Sequence, residues 1–144
     1  MIRCFPDPHP DELLYSICAR YSEKMHYPSE ETIILELFGK RRIKPVIDLP
    51  SHLDKLVGSL PDGYTSDYFI DNHTLLPYYG AFLPPERLSK LRSDMRGDRG
   101  PSIHMRAGVV GSLVPLPEWL RFCPLCVTEH KNSKVANRHS HQQN

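Results

Sequence analysis

The chain has 144 residues, of which 40% are hydrophobic and 24% are charged, and its formal net charge is +1 at pH 7. These values are ordinary for a globular protein and argue against a disordered chain, and no apolar run approaches the length of about 20 residues that spans a bilayer. The opening residues also lack the apolar segment of a signal peptide, so we expect a cytoplasmic protein without membrane contact.

Two amphipathic helices are predicted near the N-terminus. Residues 11–25 place a set of apolar side chains on one helical stripe, namely Leu13, Leu14, Ile17, Cys18 and Tyr21. A second helix is expected to begin after Ser29, whose hydroxyl suits an N-cap, and to end at Gly39 in the left-handed conformation. Its predicted buried face consists of Ile33, Ile34, Leu37 and Phe38.

Three further helices are predicted in the body of the chain. They cover residues 51–60, a short segment that is capped by Thr65 or Ser66 and reaches His73, and residues 85–96. Between the last two, the stretch TLLPYYGAFLPP is apolar but interrupted by proline and glycine, which predicts buried irregular chain. We interpret His73 as a packed residue with a hydrogen-bond partner. The body shows no convincing strand pattern, so the predicted fold class is mainly α.

The small net charge hides a strong segmentation along the chain. Residues 1–36 carry 3 basic against 7 acidic side chains, whereas residues 37–60 carry 5 against 2. Residues 84–106, with 6 against 3, and residues 119–144, with 4 against 1, are also basic. Such zones favour polyanion binding when they share a surface, because the attraction depends on the local field. Solvated faces and helix-end electrostatics are the alternative interpretation.

A cysteine pair in the sequence RFCPLC indicates a metal site. Cys123 and Cys126 have the spacing of a zinc knuckle, and the tail offers His130, His139 and His141 as further ligands. The 12 residues between Cys126 and His139 suit a Cys2His2 site, although His139 and His141 lie closer together than a helical pair of ligands. We predict Zn²⁺ held by the two cysteines with His139 and His141. Plain thiols and a redox pair are the alternatives.

No pattern in the chain indicates an active site. The sequence contains neither a Gly-x-Ser-x-Gly motif nor a phosphate-binding loop, and its carboxylates cluster mainly at helix starts, where capping explains them. A zinc deaminase would need His-x-Glu, but neither His52 nor His104 is followed by that glutamate. We therefore predict that the chain is not an enzyme.

The opening FPDPHPDELLYSICARY resembles the N-terminus of TniQ/TnsD family proteins. The segments LFGKRR, LPSHLDKL, HTLLPYYGAFLPPER and RFCPLC follow in the order of that family, so the resemblance covers residues 5–127. It implies a multi-helix N-terminal domain with a helix-turn-helix-like unit, followed by zinc-binding modules. It also implies a non-enzymatic factor that selects target sites in DNA transposition.

The resemblance further implies a set of partners. These are DNA at the transposon attachment site, or an RNA-guided effector complex, together with the AAA+ transposition regulator. Six cations in the basic segments are our candidates for phosphate contact, namely Arg41, Arg42, Lys44, Arg92, Arg96 and Arg99. The alternative function is a protein-interaction module, or a decayed remnant, that binds the regulator or forms a homodimer without contacting DNA.

Two domains are expected. A helical TniQ-like domain is predicted over residues 1–106, and a partial zinc-knuckle segment with its tail over residues 107–144. The family's second Cys-x-x-His pair has no counterpart after Val127, so we expect the second domain to be incomplete.

Overall fold

The protein is represented by a computed structural model that describes Ile2, residues 4–27, 29–41, Ile43, residues 46–109, Pro124, Leu125, Thr128 and Glu129. Nearly all of these residues belong to the first of two units, Met1–Gly111, and the second unit is Ser112–Asn144. Where the first unit is described, its regular structure is entirely helical, which confirms the mainly α prediction for that part. The helices are α1 Leu14–Met25, α2 Glu30–Phe38, α3 Leu53–Ser59, α4 Ser66–Asn72, α5 Leu76–Gly80, α6 Pro85–Arg96 and α7 Ile103–Arg106, and a 3₁₀ turn, Gly100–Ser102, precedes α7.

Local capping chemistry explains where several helices end. Gly39 adopts the left-handed conformation with φ of 69° and donates its amide to Leu35, as predicted for the end of α2. The Thr65 hydroxyl accepts a hydrogen bond of 3.1 Å from the Tyr68 amide and so caps α4. Ser29 precedes α2, but its hydroxyl lies 3.0 Å from the Thr32 hydroxyl and caps no backbone amide.

The short helix α3 lies at the centre of the first unit. It packs against α2, α4 and α6, and its Leu53 and Leu56 are fully buried. Phe69 and Ile70 of α4 complete this part of the core. Because a helix of two turns is marginal by itself, its stability comes from this apolar burial on three sides.

Glu12 anchors the proline-rich opening of the chain to α1. Its carboxylate accepts hydrogen bonds from Arg20 Nε at 2.8 Å, from the His9 amide at 3.0 Å and from the Ser16 hydroxyl at 2.7 Å. Burial opposes ionisation of this carboxyl, but these hydrogen bonds outweigh it and lower the pKa of Glu12 from 4.5 to about 2. The carboxylate therefore stays charged and paired throughout the physiological range.

The buried His73 connects the end of α4 to the start of α1. Its Nδ1 donates to the Glu12 carbonyl oxygen at 2.6 Å, because a carbonyl can only accept, and its own carbonyl accepts from the Leu14 amide at 2.8 Å. The ring also packs edge-on against Tyr68. His73 is thus a packed residue with a hydrogen-bond partner, as predicted.

The stretch TLLPYYGAFLPP was predicted to be buried irregular chain, and this prediction is wrong in two respects. Part of it forms helix α5. The helix tolerates Pro77 because this residue falls in the first turn, where a missing amide proton costs nothing. Tyr78 and Phe82 are 76% and 95% exposed, so the stretch is not uniformly buried. Gly80 is buried, and a Cβ atom there would lie 2.6 Å from Leu88 Cδ1, so the glycine permits close approach of α5 and α6.

In the described residues, no helix is long and apolar enough to cross a membrane.

We expect Glu12→Gln to lower the free energy of unfolding by about 2 kcal/mol at pH 7, because Arg20 loses its charged partner. The folded-state pKa of Glu12 lies below its ordinary value of 4.5, so its stabilisation is complete above that pH and is lost as the pH falls towards 2. Urea unfolding at pH 7 and at about pH 3 should show the advantage of the wild type shrinking at the lower pH. Glu31→Gln is the matched control, since Glu31 is exposed, and equal losses in both variants would contradict the anchor.

Candidate nucleic-acid interface

Helix α6 carries cations on both sides of its buried stripe. Leu91 and Met95 face the core and are fully buried. At 100° per residue, Arg92 and Arg96 lie on one flank of that stripe, while Arg87 and Lys90 lie on the other. The two flanks have different surroundings, and this difference decides which cations a ligand can reach.

The flank that contains Arg92 and Arg96 is neutralised by α4. Arg92 binds both carboxylate oxygens of Asp71, at 2.5 and 2.8 Å, and one oxygen of Asp67 at 3.0 Å. Arg96 forms an ion pair with the other oxygen of Asp67, and its Nε is buried. The hydrogen bonds from Arg92 lower the pKa of Asp71, so this network stays ionised at neutral pH. Two of the predicted phosphate contacts are therefore already engaged within the domain.

The opposite flank of α6 opens onto a basic cleft of about 260 Å³. We define the basic cleft by those of its lining residues that the structure describes, which are Arg87, Lys90, Met105 and Arg106. Arg87 and Lys90 are exposed, and neither forms an ion pair within the described part of the chain. Met105 is also exposed and places an apolar side chain beside three cations. This arrangement suits a ligand that combines negative charge with an apolar or sugar surface.

Arg106 is held in place by a buried carboxylate on the same helix face as Lys90. It forms an ion pair with Asp94, which is only 4% exposed. Asp94 thus neutralises one of the three cations of the basic cleft, and the cleft retains an excess of positive charge from Arg87 and Lys90. Removing Arg106 would leave a buried, unpaired carboxylate, so this residue also has a structural role.

Arg41 and Arg99, two further predicted contacts, belong to segments that meet in space. Lys40, next to Arg41, lies 4.0 Å from Asp98, next to Arg99, and the His52 amide donates to the Gly97 carbonyl at 2.8 Å. Arg41 and Arg99 are both exposed. The structure therefore brings the basic segment after α2 close to the loop after α6. Arg42 and Lys44 lie outside the described residues.

The predicted metal ligands Cys123, Cys126, His139 and His141 also lie outside the described residues. Within the part of the chain that is described, no group of three or more His, Cys, Asp or Glu side chains is arranged to hold a metal ion. Burial, reinforced by Glu12, raises the pKa of the Cys18 thiol to about 12, so this cysteine is a poor nucleophile.

The phosphate contacts predicted from the sequence include Arg92 and Arg96 of α6, which are neutralised. They do not include Arg87, Lys90 and Arg106, which line the basic cleft. The spacing of Arg87 and Lys90, three residues apart on one helical face, was a usable signal. The sequence carries no comparable signal for the ion pairs of Arg92 and Arg96, because these pairs join residues that are 21 to 29 positions apart in the chain.

These features define a small helical domain with an open cationic cleft. A sequence profile of the TniQ family matches residues 3–144. The Transposon Tn7 transposition protein TnsD of Escherichia coli is 32% identical over 133 residues, which cover 91% of this chain and 26% of that protein. The chain therefore belongs to the TniQ family, as its ordered motifs predicted, and spans about a quarter of the length of this relative. Membership of this family agrees with the prediction that the chain is not an enzyme.

We expect the double variant Asp67→Asn, Asp71→Asn to release Arg92 and Arg96 and to have two effects of opposite sign. The free energy of unfolding should fall by about 1 kcal/mol, because the pairs are only partly buried. Retention on heparin should rise, because two more cations become available to a polyanion. The salt concentration at elution measures the second effect. Asp62→Asn, which changes an exposed loop residue, should cause a smaller increase, and equal increases would contradict the network.

Proposed function

We propose that this chain acts in target-site selection for DNA transposition, as a non-enzymatic adaptor that contacts nucleic-acid phosphates through the basic cleft. Membership of the TniQ family and similarity to a transposition protein support the role. The observation that carries the contact is the excess positive charge of Arg87 and Lys90 beside the paired Arg106. In this proposal the partner is DNA at an attachment site, or the nucleic acid of an RNA-guided complex.

The physical basis of the proposed contact is counterion release. Each cation that neutralises a phosphate frees a condensed counterion, so binding is strong at low salt and weakens as salt is added. Arg87 and Lys90 are available for this purpose because no described carboxylate neutralises them. Arg41 and Arg99 extend the contact in our proposal, because both are exposed. Such contacts position a duplex but carry no sequence information, which must come from base edges.

The helix-turn-helix-like unit and recruitment of the AAA+ regulator are further parts of the proposal. An adaptor needs two surfaces, one for the target and one for the machinery that it recruits. The basic cleft is proposed for the first of these. If the chain bound protein partners without binding DNA, the alternative role of a protein-interaction module would replace this one.

We expect the wild-type chain to bind labelled random-sequence duplex DNA at about 50 mM salt in a fluorescence anisotropy titration. The double variant Arg87→Gln, Lys90→Gln should bind about tenfold more weakly, because two phosphate contacts are lost. Arg106 is left unchanged, since its loss would leave Asp94 unpaired.

The matched control is Lys24→Gln, Lys55→Gln, which removes the same charge from exposed positions outside the basic cleft. This variant should lose no more than about twofold in affinity, because bulk charge alone has a smaller effect than local contacts. Equal losses in the two double variants would contradict the cleft. Absence of DNA binding by the wild type would contradict the proposed contact altogether.

We also propose that Zn²⁺ binds Cys123 and Cys126, with His139 and His141 as the remaining ligands. The cysteine spacing supports this, because a metal would stabilise a short segment that has too little apolar surface to fold alone. Elemental analysis should find one zinc per chain in the purified wild type. It should find no zinc in the double variant Cys123→Ser, Cys126→Ser. Cys4→Ser is the control, since Cys4 is a free exposed cysteine, and zinc loss in this variant instead would contradict the assignment.

A further inference from the structure

An apolar groove of about 290 Å³ lies between α1 and α2 and is also lined by Ile43, Val46 and Pro50 of the segment that follows α2. Its floor includes Leu14 and Leu37 of the core, and its walls include Ala19 of α1 with Ile34 and Phe38 of α2. We call this feature the apolar groove. None of the described residues that line it also lines the basic cleft, so the two features are separate sites on the first unit.

Helix α2 has more apolar surface than the domain buries. Four of its five large apolar side chains were predicted to form one buried face, but only Ile33 and Leu37 are buried. Ile34 and Phe38 remain partly exposed and line the apolar groove. A helix whose apolar side chains exceed its core contact offers surface for a second apolar partner.

A hydrogen-bonded pair of tyrosines connects the two helices that line the apolar groove. The hydroxyls of Tyr21 and Tyr27 both donate to Glu36 Oε2, which ties the end of α1 to α2. Burial, with these hydrogen bonds, raises the pKa of Tyr21, so its hydroxyl remains a donor. The positions of α1 and α2 are thus fixed by contacts outside the groove, which favours a preformed binding site over one created on binding.

The charged side chains that line the apolar groove are acidic where the structure describes them. They are Glu23 of α1 and Glu30 of α2, and both are exposed. Neither forms an ion pair within the described part of the chain, whereas Glu12 is neutralised by Arg20. Acidic side chains repel phosphate, so a nucleic acid is a poor occupant, and they favour lysine and arginine side chains on whatever enters the groove.

From this combination we propose that the apolar groove binds an amphipathic helix of a partner protein, with lysine or arginine flanking the apolar stripe. Apolar residues at i, i+4 and i+7 would contact Ala19, Ile34 and Phe38, as in helix-in-groove recognition. The flanking cations would face Glu23 and Glu30. Binding of a helix in the apolar groove is independent of the proposed DNA contact, because the two sites have different residues and charges of opposite sign.

A synthetic peptide pair tests this proposal on the full chain. One labelled helical peptide of about 18 residues carries leucine at i, i+4 and i+7 with flanking lysines, and the other replaces those lysines by glutamates. In fluorescence anisotropy, the lysine peptide should bind at least about tenfold more tightly than the glutamate peptide. Lack of binding by the lysine peptide, or equal binding of both, would overturn the proposal.

Charge reversal in the protein gives the sharper comparison. Glu23→Lys, Glu30→Lys should reverse the preference and favour the glutamate peptide. Glu31→Lys, at an exposed position of α2 outside the groove, places a lysine in the same helical turn and should leave the preference unchanged. An unchanged preference in the double variant would show that the peptide binds elsewhere and would overturn the site.

The last variant fills the apolar groove with a large side chain. Ala19 is exposed on α1, so Ala19→Trp should fold normally while its ring occupies the groove, and it should bind neither peptide. DNA binding by this variant should equal that of the wild type, which distinguishes failure of this proposal from failure of the proposed DNA contact. A concentration-dependent dimer that Ala19→Trp abolishes would identify a second copy of the chain as the occupant and overturn the helix proposal.

Discussion

The ion-pair network between α4 and α6 is the constraint on which the surface chemistry of this domain depends. Asp67 and Asp71 lie opposite Arg92 and Arg96, and the resulting pairs fix α6 against α4 while neutralising two cations that stay partly exposed. One exposed ion pair contributes little to stability, but a bidentate pair within a network of four charges is geometrically specific. The network therefore fixes the orientation of α6, and Arg87 and Lys90 lie on its other flank, where neither forms an ion pair within the described residues.

Two surfaces of opposite character follow from this arrangement of charges. The basic cleft gathers cations from α6 and α7, while the described charged side chains that line the apolar groove between α1 and α2 are acidic. A nearly neutral chain thus carries local charge of each sign, and local charge selects and steers partners of opposite sign. In the proposed adaptor role, one surface contacts nucleic acid and the other contacts a protein helix.

Short-range patterns made much of the fold predictable from the sequence. The bounds of α6, the left-handed end of α2 at Gly39 and the cap of α4 at Thr65 depend on residues within a few positions of one another. The helix within TLLPYYGAFLPP was missed because proline was taken as a breaker, although it is compatible with a first helical turn. The candidate site was less predictable, because the partners of Arg92 come from a different helix and no periodicity indicates them. The zinc ligands lie outside the described residues and stay a prediction.

Residue-resolved arginine modification tests the central claim most directly. Phenylglyoxal labelling of the wild-type chain, read by mass spectrometry with and without duplex DNA, compares the accessibility of Arg87 with that of Arg92 and Arg96. We expect Arg87 to react readily in the free chain and to be protected by DNA, while Arg92 and Arg96 react slowly in both states. Protection of Arg92 and Arg96 by DNA, with Arg87 equally reactive in both states, would contradict the assignment of the basic cleft.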